Sequence, residues 1–171
     1  AIAITSKSTS AKAIASRSTL YAEIAAMTPI DAKDKYSSLS PSERREVWRQ
    51  KLLSIDKKQM TADQSTFVER TIKQLADFKF DGTDDPLKME PIRTGSIKVF
   101  GIKTAYLIFA SLGPVRDIKA IKASTGGGCG CNTDQDWCND GYTCSQLGGC
   151  SIAWFCGTLW TQSCNGKCWP T

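Results

Sequence analysis

The sequence predicts a small all-α domain in the N-terminal part, followed by a disulfide-rich, loop-dominated C-terminal module. Residues 1–128 contain no cysteine, whereas all eight cysteines lie within 129–171. The cysteine-free part repeats helix-start signals and places apolar residues at helical spacing. Because the two compositions meet at a glycine run, we expect a helical domain over 1–121, a Gly-rich linker over 122–128 and an eight-cysteine disulfide module over 129–171.

Helix-start signals mark the order of the predicted helices. A first helix is expected from about Ala11 to Met27, with Leu20, Ile24 and Met27 on one face. Three later starts pair a hydroxyl residue with a side chain three positions on, which lets each bond to the other's backbone. They are Thr28-Pro29-Ile30-Asp31, Ser40-Pro41-Ser42-Glu43 and Thr61-Ala62-Asp63-Gln64.

Apolar residues between these starts recur every three or four positions. One helix carries Val47, Trp48, Leu52 and Ile55, and the next carries Phe67, Val68, Ile72 and Leu75. Such stripes in a small bundle pack into its core, and a partner-binding face is the alternative interpretation. The stretch from Phe80 to Arg93 lacks periodicity and is predicted to be a surface loop. A last helix is expected from about Ser96 to Leu112, ended by Gly113-Pro114.

Composition excludes several classes of function. The chain has no histidine, which excludes Ser-His-Asp and Cys-His catalysis and histidine-ligated metals. No nucleophile–base pair, phosphate loop or metal set is recognisable, so we expect no enzyme and no catalytic residue. The 22 basic and 17 acidic residues are scattered, which argues against a nucleic-acid partner. The longest apolar run, Ala105–Leu112, is far shorter than the roughly twenty residues a membrane-spanning helix requires.

The cysteines predict a disulfide framework. An even number of cysteines in a short segment is typical of a protein exported to an oxidising compartment, where such a segment needs covalent closure to fold. We expect all eight to form disulfides and leave their pairing open: Cys129, Cys131, Cys138, Cys144, Cys150, Cys156, Cys164 and Cys168. Zinc fits less well because no Cys-x2-Cys pair or histidine is present. We therefore expect no metal and no cofactor.

We derive one expectation for each end of the N-terminal part, export at its start and a linker or cleavage site at its end. The chain starts at an alanine, which would suit removal of a signal peptide, and an artificial chain boundary is the alternative. We expect an extracytoplasmic location, secreted or at the cell surface. The run Gly126-Gly127-Gly128 is predicted to be a flexible linker or a cleavage site.

Aromatic residues concentrate in the cysteine-rich part. A module this small cannot hide them all, so they are candidates for a binding surface, and packing over the disulfides is the alternative. The candidates are Trp137, Tyr142, Trp154, Phe155, Trp160 and Trp169. We expect a protein or cell-envelope target. Peripheral contact with a membrane stays open, as does the oligomeric state.

The spacing of the cysteines resembles that of a known family. The pattern Cys-x-Cys-x6-Cys-x5-Cys-x5-Cys over 129–150, together with Trp137-Cys138 and Cys164-Asn165-Gly166, is similar to the bacteriocin fulvocin C and its related proteins. The later spacings depart from fulvocin C itself. The segments Trp48–Leu52 and Thr61–Leu75 look like the region that precedes the module in the related proteins. The resemblance implies an exported, disulfide-rich antibacterial peptide joined to a longer N-terminal region.

Two functions follow as expectations. The first is an exported bacteriocin-like protein or precursor whose disulfide-rich tail engages the envelope of a target cell. The second is an intact secreted or cell-surface accessory protein whose Cys-rich, Trp-rich tail binds another envelope protein or a glycan. Release of a free tail with killing activity would favour the first, and an intact chain would favour the second.

Overall fold

A computed structural model describes residues 20–114, 130–147, 149–150 and 153–171, with the backbone alone for Ala153 and Trp154. The beginning of the expected first helix, the predicted linker over 122–128 and Cys129 lie outside these residues. The described helices are α1 (20–25), α2 (Pro29–Ser37), α3 (Pro41–Ser54), α4 (Ala62–Gln74), α5 (Pro86–Phe100) and α6 (Ile102–Phe109). The strands are β1 (Tyr142–Ser145), β2 (Ala153–Cys156), β3 (Gln162–Cys164) and β4 (Lys167–Pro170).

The three predicted helix starts are confirmed. The Thr28 side chain accepts a hydrogen bond from the Asp31 amide before α2. Ser40 before α3 and Thr61 before α4 each form a complete capping box, in which the third helical residue also bonds back to the cap amide. These contacts satisfy backbone amides that would otherwise lack a partner at the helix end.

Removal of the Ser40 hydroxyl is expected to destabilise the protein modestly. Ser40→Ala leaves the Glu43 amide without its side-chain acceptor, and losses of this kind cost about 1 kcal/mol. Urea denaturation of the oxidised chain measures the change. Thr66→Ala, at an exposed position within α4, is the control and should stay within about 0.5 kcal/mol of wild type. An unchanged midpoint for Ser40→Ala would contradict the assigned role.

The predicted surface loop from Phe80 to Arg93 is wrong in its second half, because α5 begins at Pro86. The Asp85 carboxylate accepts from the Leu87 amide, and Pro86 occupies the first turn, where its missing N–H costs nothing. Pro91 lies inside the helix and interrupts the pattern by which a helix is recognised. Met89 on the inner face of this helix is fully buried, so the segment belongs to the core.

The single helix expected from about Ser96 to Leu112 is instead two helices. Gly101 separates α5 from α6 with a φ of 77°, a backbone conformation that favours glycine. The chain therefore changes direction at Gly101, and α6 packs back against α5. Helix α6 ends at Phe109, before the predicted stop at Gly113-Pro114.

The predicted apolar stripes form the core. Trp48, Val47 and Leu52 of α3 are buried together with Phe67 and Val68 of α4. The same continuous cluster includes four residues of the cysteine-rich tail, which are Trp137, Phe155, Leu159 and Trp160. The boundary in composition is therefore not a boundary in packing, because the helical part and the tail share one hydrophobic core.

The loop-dominated prediction for the tail holds in part, because four short strands lie between its loops. Strands β1 and β4 pair antiparallel, as do β2 and β3, the latter with an irregularity between Trp154 and Cys156. Each sheet has two strands, a size that is marginal without further support. Disulfides supply that support, which accounts for strands in so short a segment.

Among the described residues, no helix has the length and apolar character needed to span a membrane.

Candidate functional site

The described cysteines of the tail are oxidised. Three disulfides join Cys131 to Cys144, Cys138 to Cys168, and Cys156 to Cys164. Cys150 is disulfide-bonded as well. The first two disulfides connect the start of the tail to β1 and β4, whereas the third closes the β2–β3 hairpin.

Two of these disulfides lie side by side. The sulfur atoms of Cys131, Cys138 and Cys144 all lie within 4.8 Å of one another. Thiolate is the form of cysteine that binds metals, and a sulfur atom in a disulfide is not a thiolate. In the oxidised chain this cluster therefore serves as a covalent anchor. The expectation that the chain holds no metal stays a prediction.

Three of the six candidate surface aromatics are core residues. Trp137, Phe155 and Trp160 are buried against the helical part. The physical reason is that α2, α3 and α6 leave an apolar face uncovered, and the tail covers it. These three side chains are consequently not available to form an exposed binding surface.

Trp160 makes the central contact between the two parts of the chain. Its indole N–H donates to the carbonyl oxygen of Ala110 at 2.8 Å. Its ring meets those of Tyr36 and Trp48 edge to face, at centroid distances of 5.3 and 6.4 Å. Tyr36 also packs edge to face on Phe155 at 4.9 Å. Edge-to-face pairs add stabilisation beyond the burial of apolar area, so this cluster fixes the tail against α2 and α3.

Burial also affects the chemistry of Tyr36. Its side chain is fully buried, and desolvation raises the pKa of its phenol far above the usual value. The phenol oxygen accepts a hydrogen bond from the Trp48 indole at 3.1 Å. Tyr36 is therefore neutral, and it contributes to the contact through its ring and this hydrogen bond.

Arg44 of α3 closes the same contact from one side. Its guanidinium carbon lies 4.9 Å from the centre of the Phe155 ring and 5.6 Å from that of Tyr36. The guanidinium donates to the carbonyl oxygens of Tyr36, Ser37 and Phe80. A guanidinium is planar, stacks on rings and donates in several directions, so arginine suits this junction. The periodicity of α3 in the sequence gives no sign of this role for Arg44.

A polar seam lies beside the aromatic cluster. Arg93 of α5 donates to the carbonyl oxygen of Asp136 at 2.6 Å. The buried Gln135 amide donates to the carbonyl oxygen of Pro86 and to the Glu90 carboxylate. Gln162 donates to the carbonyl oxygen of Asp84 at 3.0 Å. These hydrogen bonds set the orientation of the tail on the segment that begins α5.

The backbone is unusual where the tail meets the helices. Phe155, Leu159 and Trp160 have φ values of 80°, 54° and 51°. Non-glycine residues adopt such conformations at a cost that surrounding contacts must offset. For Trp160, the hydrogen bond to Ala110 and the ring contacts with Tyr36 and Trp48 offset this cost. No sequence signal could have identified these positions, because none is a glycine or asparagine.

Two candidate aromatics remain exposed. Tyr142 on β1 and Trp169 on β4 are 49% and 41% exposed. Tyr142 is paired with Pro170 and Thr143 with Trp169, so the two aromatic side chains extend from opposite faces of the sheet. Leu147, after β1, is 75% exposed. The side chain of Trp154 lies outside the description. We call the set formed by Tyr142, Leu147 and Trp169 the β1–β4 edge, although its members lie on both faces of the sheet and just after β1.

No protein-family model, no curated protein and no solved structure matches the chain.

Proposed function

We propose that the chain acts outside the cytoplasm as an intact, disulfide-stabilised binding protein, and that its β1–β4 edge contacts a protein or glycan of a cell envelope. The single observation that carries the proposal is the shared core, in which Trp160 of the tail bonds to Ala110 of the helical part. A tail built into the core of its own chain is suited to act while attached.

Release of the tail would expose what the shared core buries. Trp137, Phe155 and Trp160 would lose their cover, and the helical part would expose Tyr36 and Trp48. Large exposed apolar patches favour association or aggregation in water. This argument favours the intact chain over a precursor that yields a free module.

The disulfides support a location outside the cytoplasm. Three are formed among the described residues, and cytosolic thiols are generally kept reduced. The exposed edge supports binding, because Tyr142 and Trp169 combine a large apolar ring with a polar group, as residues at interaction hot spots do.

A bacteriocin-like activity is the second candidate. The observation in its favour is the cysteine spacing over 129–150, which resembles that of the fulvocin C-related proteins. In this alternative the tail engages the envelope of a target cell, and killing of that cell is the outcome.

Intact mass, measured on protein from the producing cells and from their medium, tests the proposal first. We expect only the full-length chain, eight hydrogens lighter than its reduced form, since each of the eight cysteines loses one hydrogen on oxidation.

Binding of this protein to isolated envelopes should fall when Tyr142 and Trp169 are both replaced by serine. Lys88→Ser, another exposed position, is the control.

Three results would count against the proposal. Free thiols throughout the recovered chain would contradict the location. A separate tail that kills other cells would favour the bacteriocin precursor. Envelope binding that is equal for wild type and the double variant would exclude the β1–β4 edge.

A further inference from the structure

A narrow cleft lies between α2, α6 and the tail, beside the aromatic cluster. It is lined by Lys33 of α2, Tyr106 of α6, and Gln135, Trp137, Phe155 and Trp160 of the tail. Its volume is about 40 Å³. A water molecule needs roughly 10–15 Å³ of such space, so the cleft has room for a group of about three non-hydrogen atoms. Tyr106 in its wall is 38% exposed.

Among the residues that the structure describes, Lys33 is the one charged side chain in the wall of this cleft. Its ammonium nitrogen lies 3.8 Å from the sulfur of Cys164 and 5.9 Å from the centre of the Trp160 ring. None of the ion pairs between described residues includes Lys33. An ammonium has three N–H donors, and a disulfide sulfur is a weak acceptor. Lys33 therefore brings an uncompensated charge to the cleft, and burial lowers its pKa.

The indole and amide groups of the wall are already bonded within the protein. The Trp137 indole donates to Thr158, and the Trp160 indole donates to Ala110. The Gln135 amide nitrogen donates to Pro86 and Glu90, and its oxygen accepts from Thr158. What the cleft offers to a ligand is consequently the ammonium of Lys33 and the phenol of Tyr106, surrounded by aromatic rings.

We propose that this cleft binds the carboxylate of a small organic acid. The carboxylate has three non-hydrogen atoms and one negative charge, which match the volume and the single ammonium of Lys33. The apolar body of the acid lies against Tyr106 and Trp137, whose rings pack at a centroid distance of 6.4 Å. A phosphate carries more charge than one lysine balances and has no apolar body to place on the rings. This site is independent of the envelope partner proposed above.

Titration of the oxidised full-length chain with benzoate tests the proposal. The side-chain N–H signals of Trp137 and Trp160 in a ¹H–¹⁵N spectrum report binding. We expect saturable shifts of these two signals, and at least tenfold weaker binding of benzamide, which has the same ring without the charge. A short peptide with a free C-terminal phenylalanine forms a second arm and distinguishes a peptide carboxylate from that of a free acid.

Variants of the two lysines on α2 assign the effect. Lys33→Met should weaken benzoate binding at least tenfold, and Lys33→Arg, which keeps the charge, should restore part of it. Lys35→Met is the matched control, because Lys35 pairs with Glu23 away from the cleft, and its binding should equal that of wild type. The same spectra show whether each variant is folded.

Any of three results would overturn the proposal. The first is the absence of saturable shifts with either carboxylate ligand at millimolar concentration. The second is benzoate binding that survives Lys33→Met unchanged. The third is equally strong binding of inorganic phosphate. Because no envelope is used, none of these results depends on the function proposed for the β1–β4 edge.

Discussion

Replacement of Trp160 by alanine is expected to lower the free energy of unfolding by about 3–5 kcal/mol, the range found for removal of a large aromatic side chain from a core. The substitution opens a cavity between the tail and α3, and it removes the edge-to-face contacts with Tyr36 and Trp48. It also leaves the carbonyl oxygen of Ala110 without its indole donor. Urea denaturation of the oxidised protein, followed by far-ultraviolet circular dichroism, measures the loss.

Trp169→Ala is the matched control for this prediction. Trp169 belongs to the same tail, but it is 41% exposed where Trp160 is 9% exposed. Its replacement should change the free energy of unfolding by no more than about 0.5 kcal/mol. Equal effects of the two substitutions would contradict the shared core, because both tryptophans would then contribute in the same way.

The comparison of these two tryptophans also shows where prediction from sequence stops. Trp160 and Trp169 both follow a cysteine within a few residues, and composition gives no reason to treat them differently. Their burial differs because residues distant in the chain, Tyr36, Trp48 and Ala110, surround only Trp160. Contacts of this kind depend on the assembled fold and leave no local signal.

Local signals, in contrast, were reliable where they were complete. Ser40 and Thr61 carry their partners three residues away, and the helices they start are confirmed. Asp85-Pro86 is the same kind of signal, but Pro91 interrupts the pattern after it, and α5 was missed. Gly101 could have indicated a break in the last predicted helix, since a positive φ favours glycine.

The candidate site was predicted only in part. The cysteine-rich segment was recognised as a disulfide framework from its composition, and three of its disulfides are seen. Lys33 and Arg44 were missed, because a basic residue on a helix face has no distinguishing pattern until the tail packs over it. Of the six candidate aromatics, Tyr142 and Trp169 are exposed, and the side chain of Trp154 lies outside the described residues. The sequence did not indicate that the helical part would cover the other three.

Lys51 provides the second large expected effect, because it is a fully buried lysine in α3. Its side-chain nitrogen donates to the carbonyl oxygens of Leu107 and Ser111, at the C-terminal end of α6. Lys51→Met keeps the length of the side chain and removes both donors. Each of these part-buried carbonyls costs on the order of 1 kcal/mol when left unpaired, so the variant should be less stable than wild type in urea denaturation near pH 9.5, where deprotonation of Lys51 on folding costs little. Lys58→Met, at an exposed position, should change stability by no more than about 0.5 kcal/mol.

The effect of Lys51→Met should also depend on pH. Burial lowers the pKa of Lys51 well below its usual value of 10.5, so between the two values the unfolded chain binds one more proton than the folded chain. The contribution of Lys51 to stability is thus complete above the usual pKa and is lost as pH falls toward the lowered one, with a slope of about 1.4 kcal/mol per pH unit. Desolvation raises the pKa values of the buried Tyr21 and Tyr36 and of the partly exposed Tyr106. These shifts act in the opposite direction above the usual tyrosine pKa of 10.0, so the measurement stays below it. Within that window the difference in stability between wild type and Lys51→Met should grow with pH. A difference in stability between the two proteins that stays constant with pH would show that Lys51 keeps its proton in the folded protein. The two carbonyl oxygens and the Trp48 ring, whose centre is 5.1 Å from the Lys51 nitrogen, would then stabilise the charge against burial.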